Sequence, residues 1–185
     1  MNKRKTEGKK FALYNCNLGY GAVISNDSGL VEVILPFGNK GEESVLHHVT
    51  TQWPGIVESE GIAKEAAQLL AAYFAGQRIE FDLPIDKRLF TVFQKDVYDH
   101  VSHIPYGEVR TYGEIAGEIG SPAAARGIGT AMAANPLPII IPCHRVVGAS
   151  GCLTGYSGPG GIDSKAWLLR LEGVRLDISG KVSKM

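Results

Sequence analysis

The chain has 185 residues, of which 44% are hydrophobic and 21% charged, and its formal net charge is zero at pH 7. This length allows one large domain or two small ones with a core that needs no disulfide. The composition excludes disordered, collagen-like and coiled-coil proteins. A neutral chain is not a general binder of polyanions, so any nucleic-acid surface must be local.

The sequence predicts a cytoplasmic protein with no membrane span, no metal and no cofactor. No apolar run reaches the ~18 residues that a membrane-spanning helix requires. The basic segment 1–10 lacks the apolar stretch of a signal peptide, and we expect it to be a flexible tail. Three cysteines cannot all pair, which favours a reducing compartment. His47 and His48 form an isolated pair, which is more often a surface feature than a metal site.

Residues 11–85 predict a small α/β domain without a recognisable site of its own. Short β-favouring runs occur at 11–14, 21–24 and 30–35, with a turn over 25–29. Residues 61–76 predict a helix that ends at Gly76 and has its apolar residues on one face. The members of that face are Ile62, Ala66, Leu69, Leu70 and Tyr73. Residues 82–86 are interpreted as a linker.

Residues 86–175 predict a mainly helical second domain, and 176–185 a C-terminal tail. A helix from Thr91 to Ser102 would bury Phe93, Val97 and Val101 on one stripe. Residues 111–114, Thr-Tyr-Gly-Glu, match a capping box at the start of a short helix that ends at Gly120.

A second short helix follows and completes a helix-turn-helix. Ser121 is its predicted N-cap, Pro122 its first residue, and Asn135 with Pro136 its end. Ile128 and Met132 suffice as a core stripe, and the rest is mostly alanine and glycine, although each interior glycine costs roughly 1 kcal/mol against alanine. Close helix packing and close approach of a nucleic-acid backbone explain this composition equally well. Residues 121–161 contain two charged side chains, both arginines, and no acidic one.

The strongest candidate for chemistry is Pro142-Cys143-His144-Arg145, which follows the apolar run 137–141. A free thiol with a pKa near ~8.5 is only a few per cent ionised at pH 7, and a neighbouring imidazole can take its proton directly or through a water. For an arbitrary Cys-His pair, a buried structural cysteine would be the better interpretation. The surrounding motifs favour a nucleophile.

Those motifs resemble the O6-alkylguanine-DNA alkyltransferases, also called methylated-DNA–protein-cysteine methyltransferases. In the family's order and spacing they occupy 104–109, 112, 126–129, 135–147, 155–158 and 165–173, whereas the first 85 residues agree only in plan. The resemblance implies an α+β fold. Its parts would be a small N-terminal α/β domain with an antiparallel, RNase H-like sheet and a mainly helical, winged-helix-like C-terminal domain with the helix-turn-helix.

The resemblance also implies the reaction, which is DNA repair by irreversible alkyl transfer from O6-alkylguanine, and O4-alkylthymine, to Cys143, once per molecule after base flipping. His144 would be the water-mediated base, and Glu172 would orient and polarise it. Asn135 would tie the turn before the acceptor to this network. Tyr112 would help to rotate the nucleotide and donate a proton toward guanine N3.

The implied partner is double-stranded DNA carrying an alkylated guanine, bound through the minor groove by a monomeric protein. Arg126 would enter the duplex and fill the space of the flipped base. Further expected DNA contacts are Tyr112, Ser121, Ala125, Gly129 and, on a looser alignment, Gln94. The residues expected to line or brace the alkylguanine pocket are Met132, Arg145, Val146, Tyr156 and Ser157. The chain departs from the family at Gly113 and in a loop, 158–163, richer in glycine and proline.

Purely structural interpretations remain for three of these positions. Glu172 could be an exposed helix end, Tyr112 an ordinary packing residue, and Asn135 a simple helix stop. Two other functions also remain open. A lesion marker would bind DNA without transfer, but such proteins replace the acceptor cysteine. A Cys-His hydrolase would need turnover and would leave the helix-turn-helix unexplained. A fused metal-binding regulatory domain is disfavoured, because the N-terminal half has only Cys16.

Overall fold

The computed structural model describes residues 8–36, 38 and 41–183. The expected tail over 1–10 lies mostly outside these residues. The chain divides into two compact units, with the boundary between Leu89 and Phe90. Within the described residues, no helix has the length and apolar character needed to cross a membrane.

A four-stranded sheet with the order β3-β2-β1-β4 forms the first unit. Strands β1 (Lys10–Cys16), β2 (Gly19–Asn26) and β3 (Gly29–Ile34) pair antiparallel, which confirms the three predicted strands. The predicted turn is tighter than expected, because Ser25 and Asn26 still pair with β3 across a register shift. Strand β4 (Val57–Glu58) adds a short parallel pair on β1 and makes the sheet mixed. Both its residues are exposed, so it has no apolar pattern to predict it.

Two helices, α1 (Glu42–Gln52) and α2 (Ile62–Phe74), complete the first unit. The sequence predicted only α2, since α1 buries just Val45 and Val49. These two valines join a core cluster that also contains Phe11, Ala22, Ile24, Val31, Trp53 and Ile56. In α2 the buried face includes the predicted Ala66, Leu70 and Tyr73, while Ile62 and Leu69 are half-buried.

The segment 82–86, interpreted as a linker, runs along β3. Leu30 N donates to Pro84 O at 2.8 Å, and Asp86 N donates to Leu30 O at 3.0 Å. Gly29 permits this approach, since a Cβ there would lie 2.4 Å from Pro84 O. Asp86 is buried and accepts hydrogen bonds from Asn26 and Arg88, and the bond from Arg88 holds the pKa of Asp86 well below its usual range. The segment is therefore a structural part of the first unit.

The second unit contains four helices in its described residues: α3 (Val92–Ser102), α4 (Tyr112–Glu118), α5 (Ala125–Ala133) and α6 (Gly161–Leu171). Strands β5 (Arg110–Thr111) and β6 (Val146–Val147) form a short parallel pair. The capping box of α4 is confirmed: Thr111 Oγ1 accepts from Glu114 N at 3.1 Å, and Glu114 Oε2 accepts from Thr111 N at 2.6 Å.

Three local expectations for this unit are wrong. On α3, Val97 and Val101 are buried with Tyr98, but Phe93 is 37% exposed. Ser121 makes no side-chain cap bond, because a 3-10 turn (Pro122–Ala124) precedes α5. Over its described residues, 176–183, the expected tail is instead a docked turn, in which Val182 N donates to Gly151 O at 2.9 Å.

The small residues of α5 include one that allows close helix packing, whereas the approach of a nucleic-acid backbone to this helix stays a prediction. Ile128 and Met132 are buried, as predicted. A Cβ at Gly127 would lie 3.3 Å from the ring of Phe93, so this glycine allows α3 and α5 to approach closely. Ala125 and Gly129 instead face an open cavity.

Candidate active site

Cys143 lies on a 3-10 turn (Cys143–Arg145) that leads into β6. The apolar run before it is a compact buried turn, closed by hydrogen bonds from Ile141 N to Leu137 O and from Cys143 N to Ile141 O. Ile139 has φ +76°, and among the described residues it alone combines a side chain with a positive φ. A β-branched residue in this region is strained by about 1–3 kcal/mol, and such strain persists only where the surroundings hold it.

Asn135 supplies that support. Its Nδ2 donates to Ile141 O at 2.9 Å, and its Oδ1 accepts from Leu137 N at 3.0 Å. The side chain thus ties the two ends of the buried turn that presents Cys143. A hydrogen bond from Asn135 also favours the ionised form of the Cys143 thiol and lowers its pKa.

Beside Cys143 is a cavity of about 520 Å³, within the range of small-molecule sites. Eight of the predicted site residues line it together: Tyr112, Ala125, Arg126, Gly129, Met132, Cys143, Tyr156 and Ser157. Sequence reasoning missed three more, Ala133, Thr154 and Gly155. Gly155 opens the recognised motif at 155–158 and Thr154 adjoins it, and this was the only signal for them.

His144 and Glu172 form a fully buried pair, with His144 Nε2 2.8 Å from Glu172 Oε1. Burial lowers the pKa of His144, while the hydrogen bond to Glu172 and the charge of Glu172 raise it in part. The imidazole is therefore neutral at pH 7. Because an ionised carboxylate only accepts hydrogen bonds, Nε2 carries the proton and Nδ1 is the basic nitrogen.

Glu172 is buried at the end of α6, which excludes the exposed-surface alternative. Its Oε2 also accepts from Gly107 N at 3.2 Å. Burial by itself raises the pKa of Glu172, but hydrogen bonds and charges from His144 and Arg145 outweigh burial and hold this pKa well below its usual range. The carboxylate is therefore ionised at every pH at which the protein would work.

Arg145 and Val146 were expected to line or brace the pocket, and neither lines the cavity formed by the described residues. Arg145 turns away because its guanidinium donates twice to Glu172 and once, at 2.7 Å, to Ile104 O. Val146 is fully buried in β6, and its carbonyl accepts from Lys165 Nζ at 2.6 Å. Both residues act behind the wall of the cavity.

Lys165 is a site residue to which sequence reasoning gave no role. It is fully buried on α6 and also donates to Thr154 O at 2.9 Å. Burial lowers the pKa of Lys165 to about 8, although the charge of Cys143 opposes this. Two sequence signals marked it: Lys165 opens the recognised motif at 165–173, and it shares a helical face with Leu168 and Leu169, where an apolar residue would be usual.

Two tyrosines line the cavity together with Cys143, and a third, on α3, interacts with Cys143 electrostatically. Tyr112 Oη donates a long hydrogen bond to Thr154 O at 3.4 Å, and burial raises the pKa of Tyr112. Tyr156 Oη is buried without a hydrogen-bond partner among the described residues. On α3, Tyr98 donates to Ala131 O at 2.8 Å. Burial of Cys143 itself raises its pKa, and the charge of Lys165 acts in the opposite direction.

Three of the predicted DNA contacts lie on α3, on α5 and in the turn before α5. Arg126 and Ser121 are exposed, at the start of α5 and the turn before it. Gln94 caps α3: its Oε1 accepts from Thr91 N at 3.0 Å and its backbone N donates to Thr91 Oγ1, which makes a capping box. The cap uses the oxygen of the side-chain amide, and the assignment of Gln94 to DNA stays a prediction.

Comparisons with known proteins bear on both units. The family model described as 6-O-methylguanine DNA methyltransferase, ribonuclease-like domain, matches residues 9–87, and the DNA binding domain of the same methyltransferase matches 92–174. Over 163 residues the chain is 44% identical to a methylated-DNA–protein-cysteine methyltransferase of Methanosarcina acetivorans, which covers 88% of this chain and 97% of the relative.

Solved structures show the same similarity. The O6-methylguanine methyltransferase of Mycobacterium tuberculosis aligns with a TM-score of 0.70 and 39% identity, covering 92% of this chain and 98% of that one. The Mycobacterium tuberculosis OGT protein in complex with DNA aligns with a TM-score of 0.71 and 40% identity, covering 88% and 92%. Two family models over most of the chain, and relatives of this coverage, confirm what the motifs predicted: the chain belongs to the methylated-DNA–protein-cysteine methyltransferases.

Proposed function

We propose that Cys143 accepts the alkyl group of O6-alkylguanine in double-stranded DNA, in a reaction that each molecule performs once. The observation that carries this proposal is the position of Cys143 in the wall of the cavity, on the same short turn as the buried His144–Glu172 pair. Cys143 then provides the nucleophile, the adjacent His144 provides its base, and Glu172 at the end of α6 orients that base.

In the first step His144 takes the thiol proton, directly or through a water. Burial lowers the pKa of His144 and so leaves its ring unprotonated and available, while the hydrogen bond and charge of Glu172 raise this pKa in part and favour proton uptake. Glu172, held ionised by Arg145, fixes the tautomer and stabilises the imidazolium that forms transiently. The thiolate is the species that can attack the alkyl carbon.

In the second step a sulfur–carbon bond forms as the bond between that carbon and guanine O6 breaks. The electron pair of the broken bond goes to the guanine, and a proton donated by Tyr112 toward N3 neutralises it. Burial raises the pKa of Tyr112, which keeps its phenol protonated for this role. The proton that His144 took from the thiol then returns through solvent to the Tyr112 phenolate, so that Cys143 loses one proton, guanine gains one, and His144 and Tyr112 end as they began. The thioether has no easy leaving path, so the protein is consumed.

The nucleotide must leave the duplex, because the alkylated oxygen is on the base-pairing edge. Arg126 is exposed at the rim of the cavity, where it can fill the space left by the base. Ala125 and Gly129 line the same rim and let a sugar-phosphate backbone come near. The lack of acidic residues from 121 to 161 supports this surface, as does the relative solved in complex with DNA.

The proposal also concerns location. The three cysteines of the described residues are free, which agrees with a reducing compartment. A protein that acts on DNA in such a compartment works in the cytoplasm next to the nucleoid in a prokaryote, or in the nucleus of a eukaryote.

The decisive experiment is an intact-protein mass spectrum after mixing the chain with excess duplex containing O6-methylguanine. We expect one added methylene per molecule, mapped to Cys143 and saturating at one equivalent. Cys152→Ala is a matched control that should still be methylated, and Cys143→Ala should bind DNA without gaining mass. Tight binding of lesion DNA without any mass gain by the natural chain would overturn transfer and indicate a lesion marker.

A further inference from the structure

Lys165 is a buried cation held between two segments of the active site. Its ammonium donates to the carbonyls of Val146, which opens β6 directly after the Cys143 turn, and of Thr154, which lines the cavity. The side chain is fully buried. Within the described part of this unit Glu172 forms an ion pair with Arg145, and Glu108 with Arg110, while His144 contacts Glu172 as a neutral ring. No ion pair among these residues includes Lys165.

A buried charge without an opposite charge is costly, and proteins normally compensate it. The Glu172 carboxylate cannot do so, because it is already neutralised by the guanidinium of Arg145. Two carbonyl oxygens satisfy hydrogen bonds of the ammonium but do not cancel its charge. The buried cluster therefore holds one positive charge in excess as long as Cys143 is a neutral thiol.

The groups that face Cys143 come from every element around it. Tyr98 on α3, Tyr112 on α4 and Tyr156 in the cavity wall are neutral hydroxyls whose pKa values lie above the usual one. Asn135 contributes a hydrogen bond, and His144 is neutral. Among these described groups Lys165 carries a full positive charge, and this charge lowers the pKa of Cys143. A thiolate at Cys143 would make the buried cluster electrically neutral.

We propose that Lys165 is the counter-ion of the Cys143 thiolate and a positioning residue, which joins the Val146 and Thr154 carbonyls beside the cavity and supplies the positive charge that an ionised acceptor requires. This proposal rests on the acceptor role of Cys143. The positive charge of Lys165 also lowers the pKa of His144 and so disfavours a lasting imidazolium there.

Alkyl transfer has a defined consequence for Lys165. It replaces the thiolate by a neutral thioether, so the ammonium loses its counter-charge. The pKa of Lys165, which the charge of Cys143 raises before the reaction, should then fall. Lys165 would thus respond electrostatically to the alkylation state of its neighbour.

The first test follows the ultraviolet absorbance of the Cys143 thiolate against pH, with Cys143→Ser as the blank. In Lys165→Met the titration midpoint of Cys143 should rise by about one pH unit, which means roughly tenfold less thiolate at a fixed pH. Lys165→Arg keeps the charge and should restore most of the shift. Arg170→Met removes a cation from an exposed position of the same helix and should titrate like the natural chain. An unchanged midpoint in folded Lys165→Met would overturn the counter-ion role.

The second test needs no variant, so it holds even if Lys165→Met does not fold. The Lys165 side chain, isotope-labelled, is titrated by NMR before and after methylation of the natural chain by O6-methylguanine duplex. A lower Lys165 pKa after methylation supports the proposal, and an unchanged one overturns it. Mass spectra of the same samples separate the two claims: failure to methylate Cys143 contradicts the proposed function, whereas methylation without a Lys165 response contradicts only this inference.

Discussion

Arg145 and Glu172 form a two-pronged ion pair, in which Nε donates to Oε2 and Nη2 to Oε1, each at 2.9 Å. Both side chains are buried, and His144 Nε2 is 2.8 Å from the same Oε1. The residue that follows the Cys-His pair in sequence therefore holds the carboxylate that orients the histidine. Three consecutive residues, Cys143, His144 and Arg145, thus serve one site in different ways.

The ion pair predicts a large stability cost for Arg145→Met. Removing one partner of a buried pair leaves an uncompensated charge and costs about 3–5 kcal/mol. Arg110→Met is the matched control, since Arg110 pairs with Glu108 at 3.3 Å in a half-exposed setting and should cost less than about 1 kcal/mol. Denaturant unfolding of the two variants measures both values. Equal losses would contradict the buried pair.

Glu172 predicts a specific loss of stability in acid. Its pKa is lower in the folded protein than the ~4.3 of an unfolded chain, so the unfolded state binds its proton first as the pH falls. The contribution of ionised Glu172 to the free energy of unfolding is complete at neutral pH and begins to decline near about pH 5. It is lost as the pH approaches the pKa of Glu172 in the folded protein.

Asp86 in the first unit titrates in the same direction, so the natural chain alone cannot separate the two. The free energy of unfolding is therefore measured against pH for the natural chain, Glu172→Gln and Asp86→Asn. Each variant should lose stability at pH 7 and show a flatter acid decline. A Glu172→Gln curve parallel to that of the natural chain would contradict this assignment.

The sequence predicted the features that depend on residues close together along the chain, and it missed those that depend on residues far apart along it. The Thr111–Glu114 capping box and the Cys-His pair are local patterns, and both have the form that their spacing indicates. Glu172 was found only through the family's spacing, 27 residues beyond Arg145. The bond from Lys165 to Val146 spans 19 residues, so the motif and the helical face mark the position of Lys165 but not its partner.

The same reasoning explains the errors. Helix α1 has too few buried positions for its periodicity to stand out, and exposed Leu46 weakens the pattern further. Residues 82–86 have a linker-like composition, and only the distant Leu30 gives them a partner.

Gly158 predicts an effect on the cavity wall. A Cβ there would lie 2.4 Å from Cε1 and 2.8 Å from Cζ of Tyr156, so Gly158→Ala must displace that ring. Because Tyr156 lines the cavity, alkyl transfer should slow by about ten- to a hundredfold, while the free energy of unfolding changes much less.

The control for Gly158→Ala is Gly117→Ala on α4, where a new Cβ meets nothing within 4 Å. This variant should transfer at the natural rate and gain up to about 1 kcal/mol of stability from helix propensity. Single-turnover transfer rates measured by mass spectrometry compare the two. A natural rate for folded Gly158→Ala would show that the position of Tyr156 does not matter to transfer.

Arg126 makes the last prediction, which separates base flipping from chemistry. Its side chain is exposed at the rim of the cavity and makes no ion pair with another described residue. If Arg126 replaces the flipped base, Arg126→Ala should slow transfer from O6-methylguanine duplex by at least about tenfold, since extrusion costs a few kcal/mol. Transfer from a free O6-substituted guanine, which needs no extrusion, should stay within about twofold of the natural rate. Arg126→Lys, which keeps the charge but shortens the planar group, should recover duplex binding more than duplex repair. Equal losses on duplex and free base would instead place Arg126 in the transfer chemistry or in the stability of α5.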